Sequence, residues 1–350
     1  MTAAEFRAKR RQKFLTEQYY FLNKKWLAKL LHENSKLDES GLTIGDLAYA
    51  GVFGSIFKER LNILKLEYTA GSPIETLKPL YADVTKALGE WHAVYHQFRR
   101  HLAKEYQEDI DLDVPPLEFD NILDYQLVLD VVSLGILLGE GNTLRQIALW
   151  MESERGTDLL FESLLAPTVP DPRDNKDFCH LEPYDPLIDA FYTAKTPAES
   201  SAKVKEYLGI WYQSFDGAPW HDGHLHATSY DIPYYGYWSF ESAAVCVING
   251  IDDSTFRDHI LYSKDLADWA RDNNSLAYLK PGAASSSAGI PSRPNVPANH
   301  PCPETGWWFT PAKAGSRCYF TQGAIMPNIE GSAYGATFWQ WSPDQSAPTL

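Results

Sequence analysis

The amino-acid sequence predicts a mainly α protein. The expected architecture is a multi-helix bundle with an N-terminal helical hairpin domain, a larger helical domain, and a small β-rich C-terminal segment packed on it. Three observations predict this fold class. Apolar residues recur at helical spacing to about residue 272, one stretch repeats every 3.5 residues, and aromatic residues separated by Gly and Pro fill residues 302–350. A chain of 350 residues is long enough for two or three domains.

The first two predicted helices end before Gly71. In the first helix, apolar residues step by four, three, four and four positions along one face, at Leu15, Tyr19, Leu22, Trp26 and Leu30. The second helix is predicted over about Thr43 to Tyr68. The short turn at Gly71 then leads into a third helix.

The third helix has the clearest signal in the sequence. Ser72, Pro73 and Glu75 predict an N-cap, a proline at the first helical position and a capping-box acid. The apolar residues that follow alternate steps of four and three, the repeat of helices that pack along a neighbour at a shallow angle. They are Leu77, Tyr81, Val84, Leu88, Trp91, Tyr95, Phe98 and Leu102. We therefore expect a long antiparallel hairpin and an N-terminal domain over residues 1–118.

Residues 105–130 mark the next boundary. They contain nine acidic residues and no Lys or Arg, and Pro115 and Pro116 interrupt the helix within them. A second helical domain is predicted over residues 119–280. Its first helix, from Ile122 to Leu138, contains two aspartates and is interpreted as a buried core helix, not a membrane span.

The character of the chain changes after residue 280. Residues 281–301 are rich in Pro, Ala and Ser and are predicted to be a linker or extended strap. Residues 302–350 contain nine aromatic residues and are predicted to form short strands. A segment of this size is too small to bury a core alone, so we expect it to pack on the helices.

The net charge of −15 is unevenly distributed. Residues 1–30 hold eight Lys and Arg against two acidic residues, so the remainder carries −21. An acidic body repels nucleic acid and membrane phosphates and favours basic partners. We therefore expect no direct binding of nucleic acid or membrane. The basic side chains of residues 1–30 form either a small phosphate-binding patch or a solvated helix face.

The cellular compartment is inferred from two features. The N-terminal residues do not resemble a signal peptide, and the four cysteines follow no metal-binding or redox spacing. We expect free thiols and a cytoplasmic location, because disulfides are rare in reducing compartments. The oligomeric state stays open.

The best candidate for catalysis is a loop with His221, Asp222, His224 and His226. These side chains could hold zinc, which would make the protein a metal-dependent hydrolase. Against this, the loop has no helical i,i+4 pair and no nameable distant ligand, so hydrogen-bonding loop residues are the favoured interpretation. Cys246 follows apolar residues and is interpreted as a small buried residue, not a nucleophile. We expect no enzymatic activity, no cofactor and no metal.

One series of motifs is distinctive. It runs through Tyr207-Leu-Gly-Ile-Trp-Tyr212, Tyr235-Gly-Tyr-Trp-Ser-Phe-Glu241, Gly250-Ile-Asp-Asp253 and Tyr262-Ser-Lys-Asp-Leu266. This series resembles the C-terminal domain of the polymorphic nuclease-effector immunity proteins (the PoNi family). The resemblance covers about residues 120–270; residues 1–119 match the family only in helical character, and residues 281–350 do not match it. A buried Glu241 would need a partner, either Arg257 or a backbone cap.

The resemblance implies an immunity protein that binds and neutralises a nuclease toxin, such as a DNase delivered by a type VI secretion system. A nuclease needs a basic groove to hold phosphates, and acidic residues can fill that groove. The alternative for the acidic strip is a solvated loop that keeps the protein soluble. The residues predicted to bind the partner are Glu105, Glu108, Asp109, Asp111, Asp113, Glu118, Asp120, Asp252 and Asp253.

Overall fold

The computed structural model describes residues 3–36, 41–107, 111–169, 173, 177–226, 234–280, 296–310, 316–329 and 337–341. Two compact units make up the chain, Met1–Ser286 and Ser287–Leu350. The helices of the described residues are α1 Ala3–Lys9, α2 Glu17–Asn34, α3 Leu47–Ala70, α4 Leu77–Tyr106, α5 Ile122–Leu138, α6 Gly141–Trp150, α7 Leu159–Leu165, α8 Asp185–Tyr192, α9 Pro197–Ser214, α10 Phe240–Asn249, α11 Lys264–Asp272 and α12 Ser275–Leu279. The mainly α fold class is confirmed, whereas the domain division at residue 118 stays a prediction.

The predicted hairpin is formed by α3 and α4, which pack along their lengths. Gly71 ends α3 with a φ of +88°, a left-handed conformation that glycine adopts without strain. The predicted start of the next helix is wrong. A 3-10 turn over Ile74–Thr76 comes first, and the hydroxyl of Ser72 donates to Glu67 Oε2 at 2.6 Å instead of capping a helix. Six of the eight predicted stripe residues of α4 are buried, and Tyr95 and Leu102 are half-buried, so the stripe faces inward.

Helix α5 lies in the centre of the larger unit. It packs against α10 and α11 and also against α4, α6, α7 and α12. Asn121 caps its start by accepting from the backbone N–H of Leu123 at 3.0 Å, and Gly139 ends it. Nearly all of its side chains are buried, as expected for a helix that is apolar on every side. None of the helices in the described part of the chain is both long and apolar enough to cross a membrane.

Charged groups are nevertheless buried beside α5. The ammonium of Lys65 on α3 forms an ion pair with Asp130 on α5, whose side chain is 1% exposed. Glu241 on α10 is also buried, and its Oε1 accepts from Tyr207 Oη at 2.5 Å, Trp211 Nε1 at 3.0 Å and Ser239 Oγ at 2.9 Å. The expected partner Arg257 pairs with Asp268 and Asp253 instead. Burial, followed by the charge of Asp130, raises the pKa of Glu241 to about 7.

The second unit contains a four-stranded antiparallel sheet with the order β1-β4-β2-β3. The strands are β1 Val296–Pro297, β2 Gly306–Phe309, β3 Cys318–Phe320 and β4 Phe338–Trp341. A small core of its own includes Trp308, Met326 and Trp339. Short strands in this segment agree with the sequence pattern. Packing of residues 302–350 on the helices stays a prediction, and most of the predicted linker, residues 281–295, lies outside the described residues.

The first testable prediction concerns Glu241→Gln. The pKa of Glu241 is about 7 in the folded protein and 4.5 as its ordinary value, so the unfolded state loses its proton first as the pH rises. The contribution of this group to stability is therefore fully present below pH ~4.5, declines up to pH ~7, and changes by roughly 2–4 kcal/mol in total. Urea unfolding from pH 5 to pH 8 should show a smaller loss of stability in the variant than in the parent.

The control for this experiment is Glu90→Gln, which neutralises a half-exposed carboxylate on α4. It should leave the pH dependence of the parent unchanged. Parallel stability curves for the parent and Glu241→Gln would show that Glu241 does not titrate on folding.

Candidate functional site

The acidic segment, residues 105–124, runs from the end of α4 to the start of α5. Glu105 is exposed and lies 3.2 Å from His101 Nε2 on the preceding turn of α4. Helix α4 ends at Tyr106, and Gln107 follows with a φ of +54°. Glu108 and Asp109, two of the predicted partner-binding residues, lie outside the described residues.

The loop after this point is tied back to α4. Arg99 Nε donates to the backbone carbonyl of Asp111 at 2.7 Å, and Asp111 Oδ1 accepts from the backbone N–H of Asp113 at 2.9 Å. Both aspartate side chains are exposed. The loop therefore has a defined path that leaves these carboxylates in contact with solvent.

Side chains alternate between buried and exposed over residues 117–120. Leu117 and Phe119 are 0% and 1% exposed, whereas Glu118 and Asp120 between and after them are exposed. The ring of Phe119 packs edge-on against Tyr125 at 5.2 Å and against Phe161 at 4.9 Å. Two apolar anchors thus fix a segment that turns at residues 118–121, where the N–H of Asn121 donates to the carbonyl of Glu118 at 3.2 Å, and the acidic side chains of this segment are exposed.

Further acidic side chains surround Glu118 and Asp120. Burial raises the pKa of Glu154, which lies in the 3-10 turn after α6, and the charges of Glu118 and Asp120 raise it further. Burial also raises the pKa of Asp124, where Lys58 opposes the shift and Asp120 adds to it. Glu154 gives no signal in the sequence, because it lies 34 positions beyond Asp120 in a short turn without a motif.

Asp252 and Asp253 differ in their surroundings. Asp252 is exposed, and its carboxylate accepts from the N–H of Ser254 at 3.0 Å and from its hydroxyl at 2.8 Å. Asp253 is 6% exposed and accepts from Arg271 at 2.7 Å and from the hydroxyl of Tyr262 at 2.9 Å. Burial opposes ionisation of Asp253, but these donors outweigh it and lower its pKa. Asp253 is thus a structural residue, and of this pair only Asp252 is exposed to solvent.

The histidine loop is held by aromatic contacts. His221 stacks on Tyr212, with ring centroids 4.2 Å apart, and His224 Nδ1 lies 2.8 Å from the hydroxyl of Tyr237. His226 is exposed at the end of a 3-10 turn. In the part of the chain that the structure describes, no three His, Cys, Asp or Glu side chains are grouped to hold a metal ion. No observation favours the metal-dependent hydrolase.

Cys246 lies on the buried side of α10. Its side chain is 0% exposed, and burial is the main cause that raises the pKa of its thiol to about 12. A thiol with this pKa stays protonated at neutral pH and is a poor nucleophile. All four cysteines, Cys179, Cys246, Cys302 and Cys318, are free.

Comparison with known proteins identifies a family. The N-terminal model of the PoNe immunity protein (PoNi) family matches residues 11–149, and the C-terminal PoNi model matches residues 156–266. The crystal structure of protein PA2201 from Pseudomonas aeruginosa superposes with a TM-score of 0.59 at 18% identity, covering 78% of this chain and 96% of that chain. At this identity the similarity shows the fold alone. No curated protein matches the chain. The predicted family resemblance is confirmed, and the match includes the N-terminal domain.

The different surroundings of the two aspartates give a testable prediction. Asp253→Asn should lower the free energy of unfolding by about 2 kcal/mol, because Arg271 loses its nearest carboxylate and shares only Asp268 with Arg257. The loss should fall short of that for a fully buried pair, because the side chains of both arginines are about one third exposed. Asp252→Asn is the matched control and should leave stability unchanged in urea unfolding. Equal losses in both variants would contradict the assigned roles.

Proposed function

Because the chain belongs to the family of PoNe immunity proteins, we propose that it binds a cognate bacterial nuclease and neutralises it by direct contact. The observation that carries this proposal is the match of both family domains over residues 11–266. We further propose that the nuclease is a secreted DNase, such as a type VI effector, and that the protein acts in the cytoplasm, where the DNA lies.

The acidic segment is the surface that we propose for the partner. A DNase holds the phosphates of its substrate with basic side chains, so its groove attracts carboxylates as well. Glu118 and Asp120 are exposed, and the buried side chains of Leu117 and Phe119 fix the backbone beside them. An ordered acidic surface loses less conformational entropy on binding than a disordered tail would. Asp111, Asp113 and Glu154 add to the negative charge, and Glu105 and Asp252 are further exposed candidates.

The acidic side chains contribute mainly to the rate of encounter. Charge attraction between partners raises association rates, and salt screens it over about 10 Å at 0.1 M ionic strength. Buried contacts that hold the complex together act on the dissociation rate. The acidic segment should therefore affect the association rate, whereas the buried contacts determine the dissociation rate.

The proposed mode of action is tested by titration. Plasmid cleavage by the cognate nuclease should fall in proportion to the added protein and end at about one molar equivalent, because a tight complex removes one nuclease per molecule. Preincubation for longer times should not change that end point. Full inhibition by a small fraction of an equivalent would indicate catalytic inactivation of the nuclease and would overturn neutralisation by binding.

The role of the acidic segment is tested with the double variant Glu118→Gln, Asp120→Asn. At low salt its association rate with the cognate nuclease should be about fivefold slower than that of the parent, with little change in dissociation. The matched control is Asp216→Asn, Asp272→Asn, which removes two exposed carboxylates, one after α9 and one at the end of α11. Surface plasmon resonance over a series of salt concentrations measures both rates. Association rates of the parent and the acidic-segment variant that coincide at every salt concentration would remove this surface from the interface.

A further inference from the structure

A basic cleft of about 450 Å³ lies between the N-terminal segment and the chain that leads into α11. It is independent of the acidic segment, and the proposed function makes no use of it. Its side chains come from the end of α1 and the following loop, from the loop before α11 and the first two residues of α11, and from Tyr68 and Trp238. The charged residues of its lining are Lys9, Arg10, Arg11, Lys13, Arg257, Lys264, Asp258 and Asp265.

The charge of this cleft is opposite to that of the protein. Six of the charged residues in its lining are basic and two are acidic, whereas the net charge of the chain is −15. An excess of four positive charges in one concave surface concentrates small anions there.

Three of the six basic side chains are used by the fold. Arg11 pairs with Asp265 at 2.5 Å and also donates to the carbonyls of Tyr68 and Ser72. Lys264 pairs with Asp258 at 2.7 Å. Arg257 pairs with Asp268 and with Asp253. Both acidic side chains of the cleft are thus in ion pairs with Arg11 and Lys264. Neither of them neutralises the three remaining cations.

The remaining cations are Lys9, Arg10 and Lys13. Lys9 and Lys13 are exposed, and within the described part of the chain neither ammonium has an ion-pair partner. Lys13 lies over the ring of Phe14 at 5.3 Å, a contact that leaves its donors available. One terminal nitrogen of Arg10, Nη1, donates a hydrogen bond to the carbonyl of Leu15 at 2.7 Å. Three positive charges thus face the cleft with unused donors.

The backbone that carries these cations is anchored by Gln12. Its side chain is 0% exposed and its Nε2 donates to the carbonyls of Tyr237 at 2.5 Å and Ile260 at 2.8 Å. Its Oε1 accepts from the N–H of Tyr237 at 2.9 Å. Lys13 and Arg11 flank this fixed residue, so their backbone positions are set before any ligand arrives. A preorganised site loses less entropy on binding.

We propose that the basic cleft binds a small phosphate-bearing molecule, with Lys9, Arg10 and Lys13 as its ligands. Their three charges match a pyrophosphate group, and guanidinium and ammonium groups are the side chains that proteins use for phosphate. A long nucleic acid is disfavoured, because its further phosphates would meet the acidic remainder of the chain. The volume of about 450 Å³ sets the ligand at the size of a nucleotide or smaller.

The test is isothermal titration of the full chain with inorganic pyrophosphate and with ADP at about 0.1 M salt. Both should bind at a single site. The variant Lys9→Gln, Lys13→Gln should bind about tenfold more weakly or worse, because each lost charge-assisted hydrogen bond contributes substantially to affinity. The matched control Lys25→Gln, Lys205→Gln removes two exposed lysines outside the cleft and should bind within about twofold of the parent. Since all four side chains are exposed, the unfolding temperatures should agree.

Several results would overturn the proposal. One is a parent protein that binds neither compound at millimolar concentration. A second is an equal loss of affinity in the control, which would indicate a diffuse charge effect. Citrate that binds as tightly as pyrophosphate would exclude selection of phosphate, and a single-stranded oligonucleotide that binds more tightly than ADP would exclude a small-molecule site. Selective binding of pyrophosphate or ADP, lost only in the cleft variant, would support it.

Discussion

The ion pair between Lys65 on α3 and Asp130 on α5 joins the N-terminal hairpin to the central helix. Asp130 is 0% exposed, and burial raises its pKa while Lys65 lowers it. Removing one member of such a pair leaves an unpaired charge in the core, at a cost of several kcal/mol. A second carboxyl, Glu241, lies close enough for Asp130 to raise its pKa. The packing of α3, α5 and α10 must therefore satisfy one ammonium and two carboxyl groups together, which restricts how these helices can be arranged.

The same central helix determines how the acidic segment is displayed. Asn121 caps α5, and the ring of Phe119 packs on Tyr125 in its first turn. The residues just before the helix are thereby held against the core, with the carboxylates of Glu118 and Asp120 on the outer side. Leu117 and Phe119 fix this backbone, and the proposed partner surface rests on that fixed display of charge.

Local sequence patterns predicted most helices but few of the contacts between them. The apolar stripe of α4 followed from periodicity, because burial of one face imposes it, and the core helix α5 followed from its nearly continuous apolar run. The surroundings of Glu241 and Asp253 did not follow, because their donors Tyr207, Trp211 and Arg271 come from other helices. The charge density of residues 105–124 was visible in the sequence, but which carboxylates are exposed depends on the anchors. Gln12 gave no signal at all, since a single buried amide leaves no repeat.

Opposite charges on one protein can act separately because salt limits their range. At physiological ionic strength, exposed charges interact over about 8 Å, so an acidic segment and a basic cleft can each present their own sign to solvent. The net charge of −15 sets the long-range field that a large charged molecule meets first. Within the cleft, Lys9, Arg10 and Lys13 dominate the local field. The other three cations, Arg11, Lys264 and Arg257, are in ion pairs. Gln12 fixes the backbone between Arg11 and Lys13 to the segment around Tyr237, whereas Lys24, Lys25 and Lys29 lie exposed on α2.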